Sequence, residues 1–261
     1  IHIIMEAIEI PFFLQCFFEF LGTFVMILLG CGVVACTTLK GSKGNGGGWI
    51  VITLAWGLAV MCGVFIAGPY TGAHLNPAVT LGLAMAGKFD WGMVLPYIIS
   101  QFVGAFLGGV VVYVFYKDHF DITESKEAKL GVFSTIPAIK NLRRNFISEA
   151  IGTFVLILVI LFLAERGNTS EVGLGSIGVL PVALLVVVIG MALGGTTGYA
   201  INPARDIGPR FAHHILLIKG KGDSQWKYAW VPLAGPIIGA AFAVLVFKLY
   251  LLAYPAPQLC F

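Results

Sequence analysis

The sequence predicts an all-α membrane protein with six transmembrane helices plus two re-entrant half-helices, arranged as inverted three-span repeats. Three observations carry that prediction. Of the 261 residues, 58% are hydrophobic and 11% charged, with a mean hydropathy of +0.93, a composition outside the range of ordinary soluble domains. The tripeptide Asn-Pro-Ala occurs twice, as Asn76-Pro77-Ala78 and Asn202-Pro203-Ala204, each time between long apolar runs. The run Glu19-Phe20-Leu21-Gly22-Thr23-Phe24-Val25 returns as Glu149-Ala150-Ile151-Gly152-Thr153-Phe154-Val155, nearly in step with the second box.

The elements follow in chain order. Ile1 opens the chain with no basic stretch ahead of an apolar one, so no cleavable signal peptide is expected and the ends read as trimmed. The first span is Phe12 to Thr38 and the second Trp49 to Pro69, both close to or above the roughly 20 residues that cross a bilayer. Gly72-Ala73-His74-Leu75 then leads into Asn76-Pro77. Asparagine is a strong N-cap and proline is favoured at the first helical position, so a short helix begins abruptly where the membrane should be. Leu95 to Tyr116 is the third span. Lys117 to Asn145 is the longest polar stretch, with mixed charges, and reads as a surface loop with some ordered turns. Phe146 to Ala164 and Ile177 to Gly194 are the fourth and fifth spans. Gly198-Tyr199-Ala200-Ile201 leads into the second box, and Trp230 to Tyr254 is the sixth span. The chain is therefore expected to be one channel domain, 1–261, with repeat one at about 12–116, a connecting loop at about 117–145 and repeat two at about 146–254. Three spans per repeat turn the halves in opposite directions across the membrane. Gly104, Gly108, Gly109, Gly235 and Gly239 are expected where helices cross closely.

Irregular backbone such as that before each box cannot face lipid, because each unpaired N–H or C=O in hydrocarbon costs several kcal/mol. It must line protein or water. In an inverted repeat the two half-helices meet N-terminus to N-terminus near the midplane, which makes Asn76, Pro77, Ala78, Asn202, Pro203 and Ala204 a central constriction. If each Asn oxygen caps its own helix, its amide NH2 is left as a donor to whatever passes. The carbonyls of Gly72, Ala73 and His74, and of Gly198, Tyr199 and Ala200, form a ladder of acceptors. A small neutral molecule can hand its hydrogen bonds along it, whereas a cation meets two positive helix ends while losing its water shell.

These boxes, the run Gly72-Ala73-His74-Leu75-Asn76-Pro77-Ala78-Val79-Thr80 and the Glu-containing repeat openings resemble the aquaporin, or major intrinsic protein, family over essentially the whole chain, which makes the predicted fold aquaporin-like. The residues around the second box resemble its glycerol facilitator, or aquaglyceroporin, branch: Asp206 directly follows Arg205, Arg210 lies four beyond, and Tyr113, Pro232 and Leu233 agree. The resemblance implies a selectivity filter of Trp56, Gly190, Tyr199 and Arg205. Gly190 stands where water-selective members place a histidine, which leaves room for a carbon chain. Trp56 and Tyr199 would face the CH side of a polyol, and Arg205 would donate two hydrogen bonds to adjacent hydroxyls. Tyr199 replaces the phenylalanine usual in bacterial glycerol facilitators. Glu19 and Glu149 would be buried acceptors that support the re-entrant loops, the alternative being carboxylates at the membrane interface. The family also implies a homotetramer with one pore per subunit.

The function expected is passive passage of glycerol and other small neutral solutes such as urea, with water as co-permeant and ions and protons excluded. A water-selective aquaporin channel is the alternative within the family. A secondary transporter would need an ion-coupling site, for which the spans offer no carboxylates beyond Glu19 and Glu149. No catalytic residues, cofactor or metal are expected. Cys16, Cys31, Cys36 and Cys62 read as small buried apolar residues, His74 as a packed polar residue, and His213-His214 as a surface pair beyond the half-helix. The formal net charge of +3 comes without a basic helix, so no nucleic acid partner is implied; the surroundings are the lipid bilayer. Orientation is divided. The family implies a multi-pass protein of the cell membrane with cytoplasmic termini. That places Lys40, Lys43, most of the cluster from Lys117 to Arg144, Lys219, Lys221 and Lys227 outside, against Lys88, Arg166 and Lys248 inside, and the positive-inside rule read literally gives the opposite.

Overall fold

The computed structural model describes residues 10–163 and 178–254. Those residues form ten helices: α1 Phe12–Thr38, α2 Gly48–Thr71, α3 Pro77–Met85, α4 Trp91–Phe115, α5 Lys117–Ile122, α6 Lys126–Phe133, α7 Leu142–Leu163, α8 Leu180–Leu193, α9 Pro203–Ile215 and α10 Trp226–Ala253. Helices α1, α2, α4, α7 and α10 are each long and apolar enough to cross a membrane, and α8 is a shorter apolar helix of 14 residues. The expected span ends Ala164 and Ile177, and Arg166, lie outside the described residues. The starts of several helices precede the apolar runs because polar groups set them. Asp90 caps α4 by accepting from the Gly92 amide. Before α7, the Asn145 Oδ1 accepts from the Asn141 amide while the Asn141 Oδ1 accepts from the Arg144 amide, a reciprocal arrangement that satisfies orphan donors. Hydropathy cannot see such caps.

Within each half, two long helices run parallel and nearly touch. Gly104 faces the Phe20 carbonyl and Gly108 the Phe24 carbonyl, so α1 and α4 ascend together. Gly235 and Gly239 likewise lie on the backbone of α7 at Phe146 and Ala150, and the Phe146 and Trp230 rings stack with centroids 5.5 Å apart. An added Cβ at Gly239 would sit 2.2 Å from the Ala150 oxygen. Small residues do in this protein what the hydrophobic effect does in water, since lipid offers no reward for burying one apolar side chain against another. The outward faces carry the large apolar side chains, such as Leu95, Val114, Phe115 and Phe242, while the buried positions include Glu19, Gln101, Glu149, Asp206 and Arg210.

The half-helices lock the two halves together by exchange. The first one, α3, packs on α10 and α7, with Gly82 against Ile157 and Ala240; the second, α9, packs on α4, with Gly208 against Ala105 and Gly109 against Pro209. The connecting stretch is more than a surface loop. Its two short helices bury Phe120, Leu130, Val132 and Phe133, and α6 packs against α1 and α9.

Candidate functional site

Each re-entrant segment reaches its box through backbone that L-residues avoid. In the first, Gly72, Ala73 and Leu75 have positive φ of 76°, 51° and 52°; in the second, Gly198, Tyr199 and Ile201 have 84°, 39° and 43°. Such a conformation costs on the order of 1–3 kcal/mol at each non-glycine residue, so the surroundings must hold it. Two carboxylates do. Glu19 accepts from the His74 and Leu75 amides at 2.9 Å each, from Thr71 Oγ1 at 2.7 Å and from Gln101 Nε2 at 2.8 Å. Glu149 accepts from the Ala200 and Ile201 amides at 3.0 and 2.9 Å. Both are fully enclosed, and these donors satisfy groups that would otherwise be costly to bury.

The two asparagines then cap their helices and clasp each other's loop. Asn76 Oδ1 accepts from the Ala78 amide at 2.8 Å, and Asn202 Oδ1 from the Ala204 and Arg205 amides at 3.0 and 3.1 Å. Asn76 Nδ2 donates to the Ile201 carbonyl and Asn202 Nδ2 to the Leu75 carbonyl, both at 2.8 Å. Half of each amide's donating capacity is therefore spent across the junction, and one N–H per asparagine is left for the lumen. Sequence periodicity carries no information on contacts between the loops, so it predicts both N–H groups free.

A cavity of about 160 Å³ runs past this junction. Its lining combines Arg205, both asparagines and the segments Gly72 to Leu75 and Tyr199 to Ile201 with the apolar side chains of Trp56, Val60, Val64, Val79, Val182 and Val186, among others. The valines were not singled out in the sequence, since one apolar residue of a span looks like another. Pro77, Ala78, Pro203, Ala204 and Gly198 do not line the cavity, though the prolines start the half-helices whose caps do. At one end the Arg205 guanidinium carbon stands 4.0 Å from the Trp56 ring centroid, and Nη1 donates to the Phe133 carbonyl at 3.5 Å. Tyr199 also lines the cavity, but Gly190 does not. A Cβ on Gly190 would lie 2.6 Å from the Tyr199 ring, so the room that glycine leaves is filled by that ring. The ring also meets Trp49 edge-on at 5.8 Å, and the Trp49 indole donates to the Gly190 carbonyl at 3.0 Å.

A family model for the major intrinsic proteins matches residues 6–247. The chain belongs to the major intrinsic protein family. It is 52% identical over 236 residues to a glycerol uptake facilitator protein of Streptococcus pneumoniae, covering 90% of this chain and 99% of that one. A probable glycerol uptake facilitator protein of Thermotoga maritima is 53% identical over 221 residues, covering 85% and 92%. Among solved structures, the aquaglyceroporin from Plasmodium falciparum aligns with a TM-score of 0.79 at 33% identity, covering 91% of this chain and 96% of that chain.

In this major intrinsic protein the remaining branch-marking residues stand away from the cavity. Asp206 and Arg210 form a buried ion pair on α9, with Arg210 Nε 2.8 Å from Asp206 Oδ1. Tyr113 donates its hydroxyl to the Leu217 carbonyl at 3.1 Å. Pro232 is buried and Leu233 exposed; both lie inside α10, which begins at Trp226, earlier than its apolar run. The expected His213-His214 surface pair is corrected. His213 is not on the surface, because α9 extends to Ile215 and carries it into the interior, where Nδ1 lies 2.8 Å from Ser224 Oγ and the ring meets Phe133 edge-on. His214 is exposed. His74 packs edge-on to Phe89 and Tyr97 with Nδ1 3.1 Å from Thr80 Oγ1.

Proposed function

We propose that this membrane protein is a passive channel for glycerol and similar small neutral solutes, with water as co-permeant. The observation that carries the reading is the mixed polar and apolar lining of the cavity. A polyol has a CH side and a hydroxyl side, and the lining supplies partners for both: valines and Trp56 for the first, Arg205, the two asparagines and the strained loops for the second. Trp56, Tyr199 and Arg205 form the filter, with Gly190 acting through the seat it leaves for Tyr199. Asn76 and Asn202 form the central constriction, where two helix N-termini oppose cations and interrupt proton exchange along water. Glu19 and Glu149 support the loops. The reading is further supported by the names of the relatives at about half identity, which are glycerol uptake facilitators.

The same reading makes 1–261 one channel domain of two inverted repeats, in the cell membrane with cytoplasmic termini, assembling as a homotetramer, and open to urea as well as glycerol. No step in it requires making or breaking a covalent bond, so the protein is read as a facilitator and not an enzyme. The test is stopped-flow light scattering on proteoliposomes challenged with an impermeant osmolyte and, separately, with glycerol, while proton leak is followed. Fast glycerol re-swelling without proton leak or sodium dependence is expected. Rapid water efflux with glycerol at the lipid background would overturn the glycerol assignment.

A further inference from the structure

Arg205 and Asp206 are consecutive in α9 but point in different directions, as successive residues of a helix must, about 100° apart. Arg205 faces the cavity; Asp206 faces the end of the connecting stretch, where its charge is consumed. Thr135 donates to Asp206 Oδ2 twice, from its amide at 2.8 Å and its hydroxyl at 2.6 Å. Arg210 donates to both Asp206 oxygens, to the Thr135 carbonyl at 2.9 Å and to the Ser224 carbonyl at 2.8 Å. Thr135, Asp206 and Arg210 thus close a ring of hydrogen bonds with all three side chains buried. Two residues before Thr135 is Phe133, the last residue of α6, whose carbonyl accepts from the filter arginine. The methyl of Thr135 lies where a Cβ on Gly198 would meet it at 3.2 Å, and the Ala138 amide donates to Thr196, so the stretch is also strapped to the second re-entrant segment.

From this geometry we infer that Thr135 is a positioning residue of the filter: it fastens the Phe133–Thr135 segment to the Asp206–Arg210 pair, and the Phe133 carbonyl so held keeps the Arg205 guanidinium against Trp56. Two consequences follow from the same contacts. The branch-marking ion pair, remote from the lumen, acts on selectivity through this segment. And Asp206, fully engaged with Thr135 and Arg210, leaves Arg205 without a carboxylate partner among the described residues, so its charge and donors stay directed at the lumen. Without the Thr135 hydroxyl, the segment loses its shortest tie to Asp206, the Phe133 carbonyl drifts, and the guanidinium is free to swing across the lumen. That obstructs a three-carbon triol, which needs apolar lining and two aligned donors together, more than it obstructs water.

The inference rests on the glycerol-channel reading and is tested with the full chain in proteoliposomes. Water and glycerol permeabilities are measured for wild type, Thr135→Val, Thr135→Ala and Thr135→Ser, each alone and with Arg205→Ala. Loss of the hydroxyl is expected to lower the glycerol-to-water permeability ratio about tenfold, the scale on which misplacing a positioning group by a fraction of an ångström acts. Thr135→Ser, which keeps the hydroxyl, is expected to restore the ratio. In the Arg205→Ala background the Thr135 substitutions are expected to change the ratio no further, because a residue acting through Arg205 cannot act once it is gone. The alanine variant keeps the test alive should the valine variant fail to insert. Equal ratios for serine, valine and alanine, or an additive effect on top of Arg205→Ala, would overturn the inference. Absence of glycerol flux in the wild type would instead overturn the reading beneath it.

Discussion

Gly190 shows how a residue can shape a lumen it does not touch. The Tyr199 ring occupies the volume that any side chain at 190 would need, with its hydroxyl buried and unpartnered among the described residues. Width at the proposed filter then depends on how deeply Tyr199 seats, and Gly190→Ala should push the ring toward the cavity. We expect glycerol permeability to fall about tenfold, with water permeability changed much less, since small displacements of a filter wall weigh most on the larger permeant. Stopped-flow measurements of both solutes check it; parallel loss of both would show that the ring stayed in its seat and the helix was disturbed instead. The sequence identified Gly190, Trp56, Tyr199 and Arg205 only through family resemblance, and it had no means of showing that Gly190 lies behind Tyr199, because that depends on which way one aromatic rotamer points. Thr135 and Phe133 escaped notice for a related reason. They sit in a polar connecting stretch whose inward reach is fixed by buried partners distant in the chain.

At the scale of elements, the long helices are legible wherever lipid contact imposes an apolar run, α1 at both ends, whereas the starts of α4, α7 and α10 are not. Caps such as Asp90 and the Asn141–Asn145 pair are local and polar, so the helices begin before the hydropathy does. The half-helices were legible from the opposite cause, since Asn-Pro specifies a start in the middle of apolar sequence, and both start at the proline. The crossing glycines Gly104, Gly108, Gly109, Gly235 and Gly239 all lie against a neighbouring helix, unlike Gly32, which the sequence does not mark as a crossing position. Gly239 lies against the Ala150 carbonyl, with backbone in the way of any added carbon, whereas nothing lies within 4 Å of the Cβ position of Gly32. Gly239→Ala should cost about 1–3 kcal/mol as overpacking. Gly32→Ala should be neutral or stabilising by up to about 1 kcal/mol from helix propensity. Thermal unfolding of the two variants in detergent separates them; similar midpoints would mean that α10 shifts away from α7 at little cost.

The whole molecule depends on a junction that neither half can make alone. Each asparagine caps one half-helix and donates to the loop of the other, and each half-helix packs on long helices of the opposite half, so the lumen is the product of the exchange. The repeat in the sequence announced two similar halves; the clasp between them was hidden because neither partner carries a mark of the other. Electrostatically, the junction sets two positive helix ends face to face with no carboxylate among the residues that line the cavity. Asn202→Asp tests this arrangement with little steric change. Aspartate caps a helix about as well as asparagine, so α9 should still start at Pro203. The substitution removes the donor to the Leu75 carbonyl and places a negative charge at the point where the two dipoles would otherwise repel a cation. We therefore expect a cation leak that wild type lacks, seen as sodium or proton conductance across proteoliposomes under an imposed potential, while glycerol flux persists. A variant that still passes glycerol and stays as tight to cations as wild type would show that the junction is not the barrier, and would move cation exclusion to Arg205 beside Trp56.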